Sequence, residues 1–326
     1  MNVLVHIHSP FAVWNIPPAH IARLREAFPA HTFLHVRDDE EALGLMADVD
    51  VAFSSQITRE HLRVAPRLRW IHSPAAGVGS MLFREMVDRP VVITNSRGMS
   101  ADTIAEHVVA VTLALFRHLP LAVRRQSQRI WAQDEIAARG NRTVDGSTVL
   151  VVGLGSIGSA VARRMAALGA RVTGIRRRAA AEPVPGVVAV LPPDRLRAAI
   201  AEADVIVITA PHTRDTRGLI GPATLGAMKP AAVLVNVSRG RLVDEQALAA
   251  ALQAGRLAGA ALDVFEDEPL PGDSPLWSLP NVLITPHTSA ARLNHWDVAT
   301  DLFAENLGRF ERGEGLMNVV DKKRGY

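Results

Sequence analysis

Short runs of apolar, β-branched residues alternate along this chain with longer stretches whose apolar residues recur every three to four positions. In the first third the short runs fall at 3–7, 32–36, 49–53, 70–71 and 91–94. Helical spacing appears between them at 18–27 and 40–46. Alternation of strand and helix patterns predicts βαβ units around a parallel sheet. A longer helix is predicted over 101–117, where Ile104, Val108, Val111 and Leu115 share one face. Ser100 is placed to cap it, since its hydroxyl can accept an orphan backbone N–H.

A second alternating series follows. Strands are predicted at 148–152, 171–175, 187–190, 205–209, 232–237, 258–264 and 282–285. Seven strands with helices or turns between them describe a second doubly wound sheet, complete on its own. A last helix, 292–312, and a tail through Asn318-Val319-Val320 have no strand left to join in that sheet. They are expected to return to the first unit.

Composition narrows the classes. The 326 residues are 48% hydrophobic and 21% charged, an ordinary globular balance that suggests about two domains. With no cysteine, thiol nucleophiles, disulfides and thiolate metal sites are excluded. The isoelectric point is high, about 9.9, while the formal charge is only +3. Thirty-three of the 36 basic residues are arginine, which holds its proton to very high pH. The high value is therefore no signal of nucleic-acid binding. No apolar run reaches the length of a membrane helix, and residues 1–8 are too short and mixed for a signal peptide. A soluble cytoplasmic protein, with no nucleic-acid or membrane partner, is expected. The histidine pairs His6/His8 and His31/His35 lack carboxylates at ligand spacing, so no metal is expected.

The most informative local motif is Gly153-Leu154-Gly155-Ser156-Ile157-Gly158. It follows the apolar strand 149–152 and opens a helix with Ile157, Val161, Met165 and Leu168 on one face. In that setting the glycines suit a dinucleotide. Gly153 takes the tight turn, Gly155 leaves room for the pyrophosphate, and Gly158 allows close helix–strand packing. The N–H groups near Ser156 and Ile157, at the helix start, face the phosphates. At the end of the next strand, where NAD binders carry an acid for the ribose 2′-hydroxyl, stand Arg176, Arg177 and Arg178. Guanidinium groups suit a 2′-phosphate, so NADP(H) is favoured over NAD(H).

Three further segments follow in order: Val235-Asn236-Val237-Ser238-Arg239-Gly240, then Leu262-Asp263-Val264-Phe265-Glu266-Asp267-Glu268-Pro269, then Thr285-Pro286-His287-Thr288-Ser289. With the glycine motif before them, they resemble the D-isomer-specific 2-hydroxyacid dehydrogenase family over essentially the whole chain. The resemblance implies an α/β fold of two doubly wound parallel-sheet domains. A Rossmann dinucleotide-binding domain, 99–288, would be inserted in a flavodoxin-like substrate domain, 1–98 plus 289–326.

It also implies hydride transfer between NAD(P)H and a small 2-keto acid, giving a D-2-hydroxy acid, as in glyoxylate and hydroxypyruvate reductases. The implied catalytic set is Arg239, Glu268 and His287. Arg239 would bind the substrate carboxylate and polarise the carbonyl through its planar fork. His287 would act as general acid and base, and Glu268 would stabilise its protonated form. Asp263 and the Val237 backbone would hold the nicotinamide carboxamide, and Pro211 and His212 would lie along the adenosine side. Ser73-Pro74-Ala75-Ala76-Gly77-Val78-Gly79 resembles the substrate loop, with the N–H groups of Ala76 and Gly77 receiving the carboxylate. Gly79-Ser80 stands where the family often has an Asp. The region after the long helix, with Trp131, implies a homodimer.

Two alternatives stay open: a formate- or phosphite-type dehydrogenase of the same fold, and a non-catalytic dinucleotide-sensing binding protein. Leu293 and Trp296 are candidates for an apolar substrate pocket, and Glu106-His107 reads as packing or interface.

Overall fold

The computed structural model describes residues 1–177 and 182–325. The chain divides into two compact units, Met1–Met99 with Ala291–Tyr326, and Ser100–Ala290.

The first unit is built on five parallel strands: β1 (Asn2–His6), β2 (Thr32–Val36), β3 (Val51–Ser54), β4 (Trp70–Ser73) and β5 (Val92–Asn95), in the order β2-β1-β3-β4-β5. β3 begins two residues later than its apolar run. Val49 is fully buried, but its N–H closes a turn onto the Met46 carbonyl at 3.3 Å, so its apolar character marks burial and not pairing. The helix His295–Glu311 lies on one face of this sheet. Phe303 stacks on Phe53 at 4.3 Å and packs beside Trp70, all three fully buried. Truncating such a residue to Ala costs about 3–5 kcal/mol. The tail then pairs with β5 through the Val320 N–H, which donates to the Ile93 carbonyl at 2.8 Å. The return of the C-terminus to the first sheet is thus as expected, although the helix starts at His295 and not at 292.

The second unit holds seven parallel strands: β6 (Thr148–Val152), β7 (Arg171–Ile175), β8 (Val187–Leu191), β9 (Val205–Ile208), β10 (Val233–Asn236), β11 (Gly259–Leu262) and β12 (Val282–Ile284). Their order is β12-β11-β10-β9-β6-β7-β8. β6, β9 and β10 are buried on both faces, which is why they read as unbroken apolar runs. The strand order reverses between β6 and β9, and ligands of open α/β sheets bind at such a switch point, beyond the carboxyl ends of the strands.

The long helix runs Ala101–Phe116 and packs Ile104, Val108 and Val111 into the core. Ser100 occupies its cap position but makes no side-chain cap hydrogen bond, contrary to expectation. The helix stops where His118 turns left-handed (φ 55°). Two helices without a strong sequence signal follow, Leu119–Ser127 and Gln133–Ala138. No single helix among the described residues is long and apolar enough to cross a membrane.

Candidate active site

The glycine motif lies at the switch point and is built by steric demand. Gly153 follows β6 with φ 106°, and a Cβ there would lie 2.6 Å from the Ala210 backbone, just beyond β9. A Cβ on Gly158 would lie 1.9 Å from the Gly153 carbonyl oxygen. These two glycines therefore serve the protein's own packing. Gly155 differs: a Cβ there meets nothing within 4 Å. It stands at the cap of the helix Ser156–Ala167, which has no side-chain cap, so the first N–H groups of the helix, including Ser156 and Ile157, are left for a ligand. Space before an uncapped helix N-terminus fits a pyrophosphate.

At the end of β7, Arg176 and Arg177 are both exposed, and Arg177 Nη1 lies 3.5 Å from Asp215. Arg178 lies outside the described residues. Beyond β9, Pro211 and His212 are exposed. The Pro211 carbonyl accepts from Thr216 Oγ1 at 2.7 Å, which shapes the turn. Partial burial lowers the His212 pKa, and so do the nearby charges of Arg241, Arg217 and Arg239.

Arg239, Glu268 and His287 stand beyond the ends of the adjacent strands β10, β11 and β12. Arg239 is exposed, and its loop is fixed from below by Asn236. The buried Asn236 amide donates to the Arg239 carbonyl at 3.1 Å and accepts from the Ser238 N–H at 3.1 Å. Gly240 follows against the Phe265 backbone, where a Cβ would lie 1.8 Å from the carbonyl carbon. Val237 turns its N–H to the Ile208 carbonyl at 3.4 Å.

The His287 Nδ1 meets Glu268 Oε2 at 2.6 Å, and the second carboxylate oxygen accepts from the Phe265 N–H at 2.9 Å. Burial pushes the Glu268 pKa up. The hydrogen bonds from His287 and Phe265, and the charges of His287 and Arg239, outweigh it and hold the carboxyl below its usual range. Glu268 is thus an anion at neutral pH, and a carboxylate acceptor assigns the proton on Nδ1 to the imidazole. The other ring nitrogen, Nε2, has no hydrogen bond among the described residues.

His287 itself is left-handed (φ 52°), a conformation costly for a residue with a Cβ. The structure over-determines it through Asp263, which is 1% exposed. The Asp263 carbonyl accepts the His287 N–H at 2.9 Å. Its carboxylate accepts the Thr285 hydroxyl at 2.6 Å, the Thr288 N–H at 2.9 Å and the Ser289 N–H at 3.1 Å. Thr285 also lies 3.3 Å from His107 Nε2 on the long helix. The Asp263 carboxylate therefore holds the whole turn that presents His287, a role its position in the sequence did not announce. Asn236 and His107 were likewise not singled out for the site. Their only signal was a polar residue at the end of an apolar strand, or on a largely apolar helix.

In the other unit, Ala76 and Gly77 lie exposed on the loop after β4. Trp296 does not line a pocket there: it is 8% exposed, part of the sheet's core, and its indole N–H donates to the Val13 carbonyl at 3.2 Å. Leu293 is fully exposed. Among the described residues no group of three His, Cys, Asp or Glu is arranged to hold a metal.

The family model for the NAD-binding domain of the D-isomer specific 2-hydroxyacid dehydrogenases matches residues 109–289. The chain belongs to the D-isomer specific 2-hydroxyacid dehydrogenase family. A glyoxylate reductase of Pyrococcus furiosus is 33% identical over 317 residues, 94% of each chain. The structure superposes with a TM-score of 0.82 on a D-isomer specific 2-hydroxyacid dehydrogenase from Xanthobacter autotrophicus in complex with NADPH, 30% identical, covering 100% of this chain and 99% of that one. An NADPH-dependent glyoxylate/hydroxypyruvate reductase from Sinorhizobium meliloti, in complex with NADP and sulfate, gives 0.84 at 26% identity, with coverage of 100% and 99%. As a 2-hydroxyacid dehydrogenase the chain is an NAD(P)-dependent oxidoreductase, and its two parallel sheets are those of this family.

Proposed function

We propose that this dehydrogenase reduces a small 2-keto acid, of the glyoxylate or hydroxypyruvate class, to the D-2-hydroxy acid, with NADP(H) as preferred cofactor. The observation that carries the reading is the His287–Glu268 pair at 2.6 Å, with Nε2 unbonded among the described residues and the charge of Arg239 acting on Glu268. The bound dinucleotide supplies the hydride. His287 Nε2–H gives its proton to the carbonyl oxygen as charge builds there, and takes it back in the oxidation direction. Glu268, ionised and in contact with Nδ1, stabilises the imidazolium and fixes the ring's orientation. Arg239 binds the substrate carboxylate and polarises the carbonyl through its fork. The N–H groups of Ala76 and Gly77 receive the carboxylate as well. Val237, through its carbonyl, and Asp263 orient the nicotinamide carboxamide. Pro211 and His212 border the adenosine.

The preference for NADP(H) rests on Arg176 and Arg177, exposed where a 2′-phosphate would lie. Two structural neighbours are in line with it: the Xanthobacter and Sinorhizobium structures hold NADPH and NADP. A homodimer is supported by Leu119, Val123, Ile130 and Trp131, exposed by 50%, 64%, 49% and 90% on one segment of the second unit. The test of the activity is absorbance at the NAD(P)H band with glyoxylate, hydroxypyruvate, pyruvate and phenylpyruvate, each with NADPH and NADH. Oxidation with at least one keto acid, faster with NADPH, is the expected result. No oxidation across the panel, with cofactor binding intact, would refute the substrate class.

A further inference from the structure

The loop after β4 offers two N–H groups, those of Ala76 and Gly77, that make no hydrogen bond among the described residues. Their carbonyl neighbours are firmly held. The Ala75 carbonyl accepts the Ser96 N–H at 3.2 Å, and the Ala76 carbonyl accepts Asn95 Nδ2 at 2.7 Å. A trans peptide is planar, with C=O and N–H on opposite sides. Holding the Ala75 oxygen therefore aims the Ala76 N–H, and holding the Ala76 oxygen aims the Gly77 N–H.

The two residues that do the holding are themselves locked. Asn95 is 2% exposed, and its Oδ1 accepts the Arg97 N–H at 3.3 Å, so its Nδ2 is the end that faces Ala76. Ser96 closes a buried chain of hydrogen bonds. Trp70 Nε1–H, which can only donate, meets Thr94 Oγ1 at 2.8 Å, and Thr94 meets His72 Nδ1 at 2.7 Å. His72 Nε2 meets Ser96 Oγ at 3.3 Å, and Ser96 Oγ donates to the Ser73 carbonyl at 3.0 Å. Burial pushes the fully enclosed His72 imidazole down to about 3, so it is neutral, with one accepting and one donating nitrogen. A single assignment satisfies every member: Thr94 donates to Nδ1, and Nε2–H donates to Ser96.

We infer that Asn95 is a positioning residue for substrate binding, aiming the Gly77 N–H at the substrate carboxylate, with Ser96 and the His72 chain aiming the Ala76 N–H beside it. The inference rests on the proposed role of these two N–H groups and adds what preorganises them. Donors fixed in advance bind an anion without the cost of ordering the loop.

The experiment is steady-state kinetics of the full-length enzyme with glyoxylate, and inhibition by oxamate, which carries the carboxylate beside an amide. Asn95→Ala is expected to raise the KM for glyoxylate and the Ki for oxamate together, roughly tenfold, the scale of one weakened hydrogen bond to a charge. The kcat and the NADPH Kd should stay within about twofold, a split that general loosening of the fold would not give. Unchanged KM and Ki would overturn the assignment. Should N95A fail to fold, Asn95→Ser, which keeps a polar side chain but cannot reach Ala76, is judged on the same criteria. Ala76→Pro separates the inference from its basis, because it deletes one N–H donor outright. If A76P leaves KM unchanged, the carboxylate does not bind there and the underlying reading fails. If A76P raises KM and N95A does not, only the positioning role fails.

Discussion

Changing Gly155 to Ala adds one methyl group where the protein itself has nothing within 4 Å. The backbone there, φ −88°, suits any residue. Two small effects on stability oppose each other. Alanine narrows the unfolded ensemble, a gain of about 0.4–1 kcal/mol, while as a helix N-cap it is worse than glycine by a similar amount. The net change should lie within about 1 kcal/mol, or roughly 3 °C in Tm for a unit of this size. Cofactor binding should respond quite differently. If the pyrophosphate approaches the backbone at Gly155, the methyl overpacks that contact at a cost of about 1–3 kcal/mol, a roughly 5- to 150-fold weaker NADPH Kd.

Thermal unfolding of the apoprotein and titration with NADPH, followed by nicotinamide fluorescence, measure the two quantities separately. Gly158→Ala provides the contrast, since its Cβ would collide with the Gly153 carbonyl at 1.9 Å and must damage stability itself. Normal NADPH affinity in G155A would mean that the dinucleotide does not pass over Gly155. A loss of several degrees in Tm would mean that the space is not open.

Three further expectations concern the chemistry. His287→Ala should lower kcat by on the order of 10²- to 10⁴-fold with little change in NADPH affinity, and a near-normal kcat would remove His287 as the proton donor. Arg239→Lys keeps the charge but loses the fork, so kcat/KM for the keto acid should fall by about two orders of magnitude; a loss of less than about threefold would argue against bidentate binding. Arg176 and Arg177 changed together to Ala should weaken NADPH at least about tenfold more than NADH, measured as the ratio of the two Kd values. Equal loss for both would mean that neither arginine reads the 2′-phosphate.

What could be read directly from the sequence was whatever the chain encodes locally. The glycine motif is such a case: turn, approach and packing fall within six residues, and the structure gives Gly153 and Gly158 steric reasons of their own while leaving the space at Gly155 open. Arg239, Glu268 and His287 were proposed from the family resemblance of their segments, and the structure sets all three past the ends of the adjacent strands β10, β11 and β12. The anchoring of His287 was not legible in the sequence. The groups that Asp263 accepts from, Thr285, Thr288 and Ser289, are 22 to 26 residues further along, and only the pairing of β11 with β12 brings them together. Asn95 escaped notice for the same reason, being 19 residues from the carbonyl it binds. Trp296 misled because an aromatic residue near a site-bearing loop is as well suited to a core as to a pocket, and here the core received it. The helices 119–127 and 133–138 gave no clear pattern because they bury no residue, and Leu119 and Val123 of the first are exposed.

The first unit is assembled from two distant pieces of chain, and this imposes an order on its birth at the ribosome. Its five strands are made before the second unit, but Phe53 and Trp70 await Phe303, which follows the whole second unit in sequence. At about 5–20 residues per second, the intervening roughly 190 residues take on the order of 10–40 s to synthesise. During that interval the nascent sheet carries an uncovered aromatic face, while the contiguous dinucleotide-binding unit can complete its own core. The unit whose strands are made before the other is therefore the one whose core closes after it.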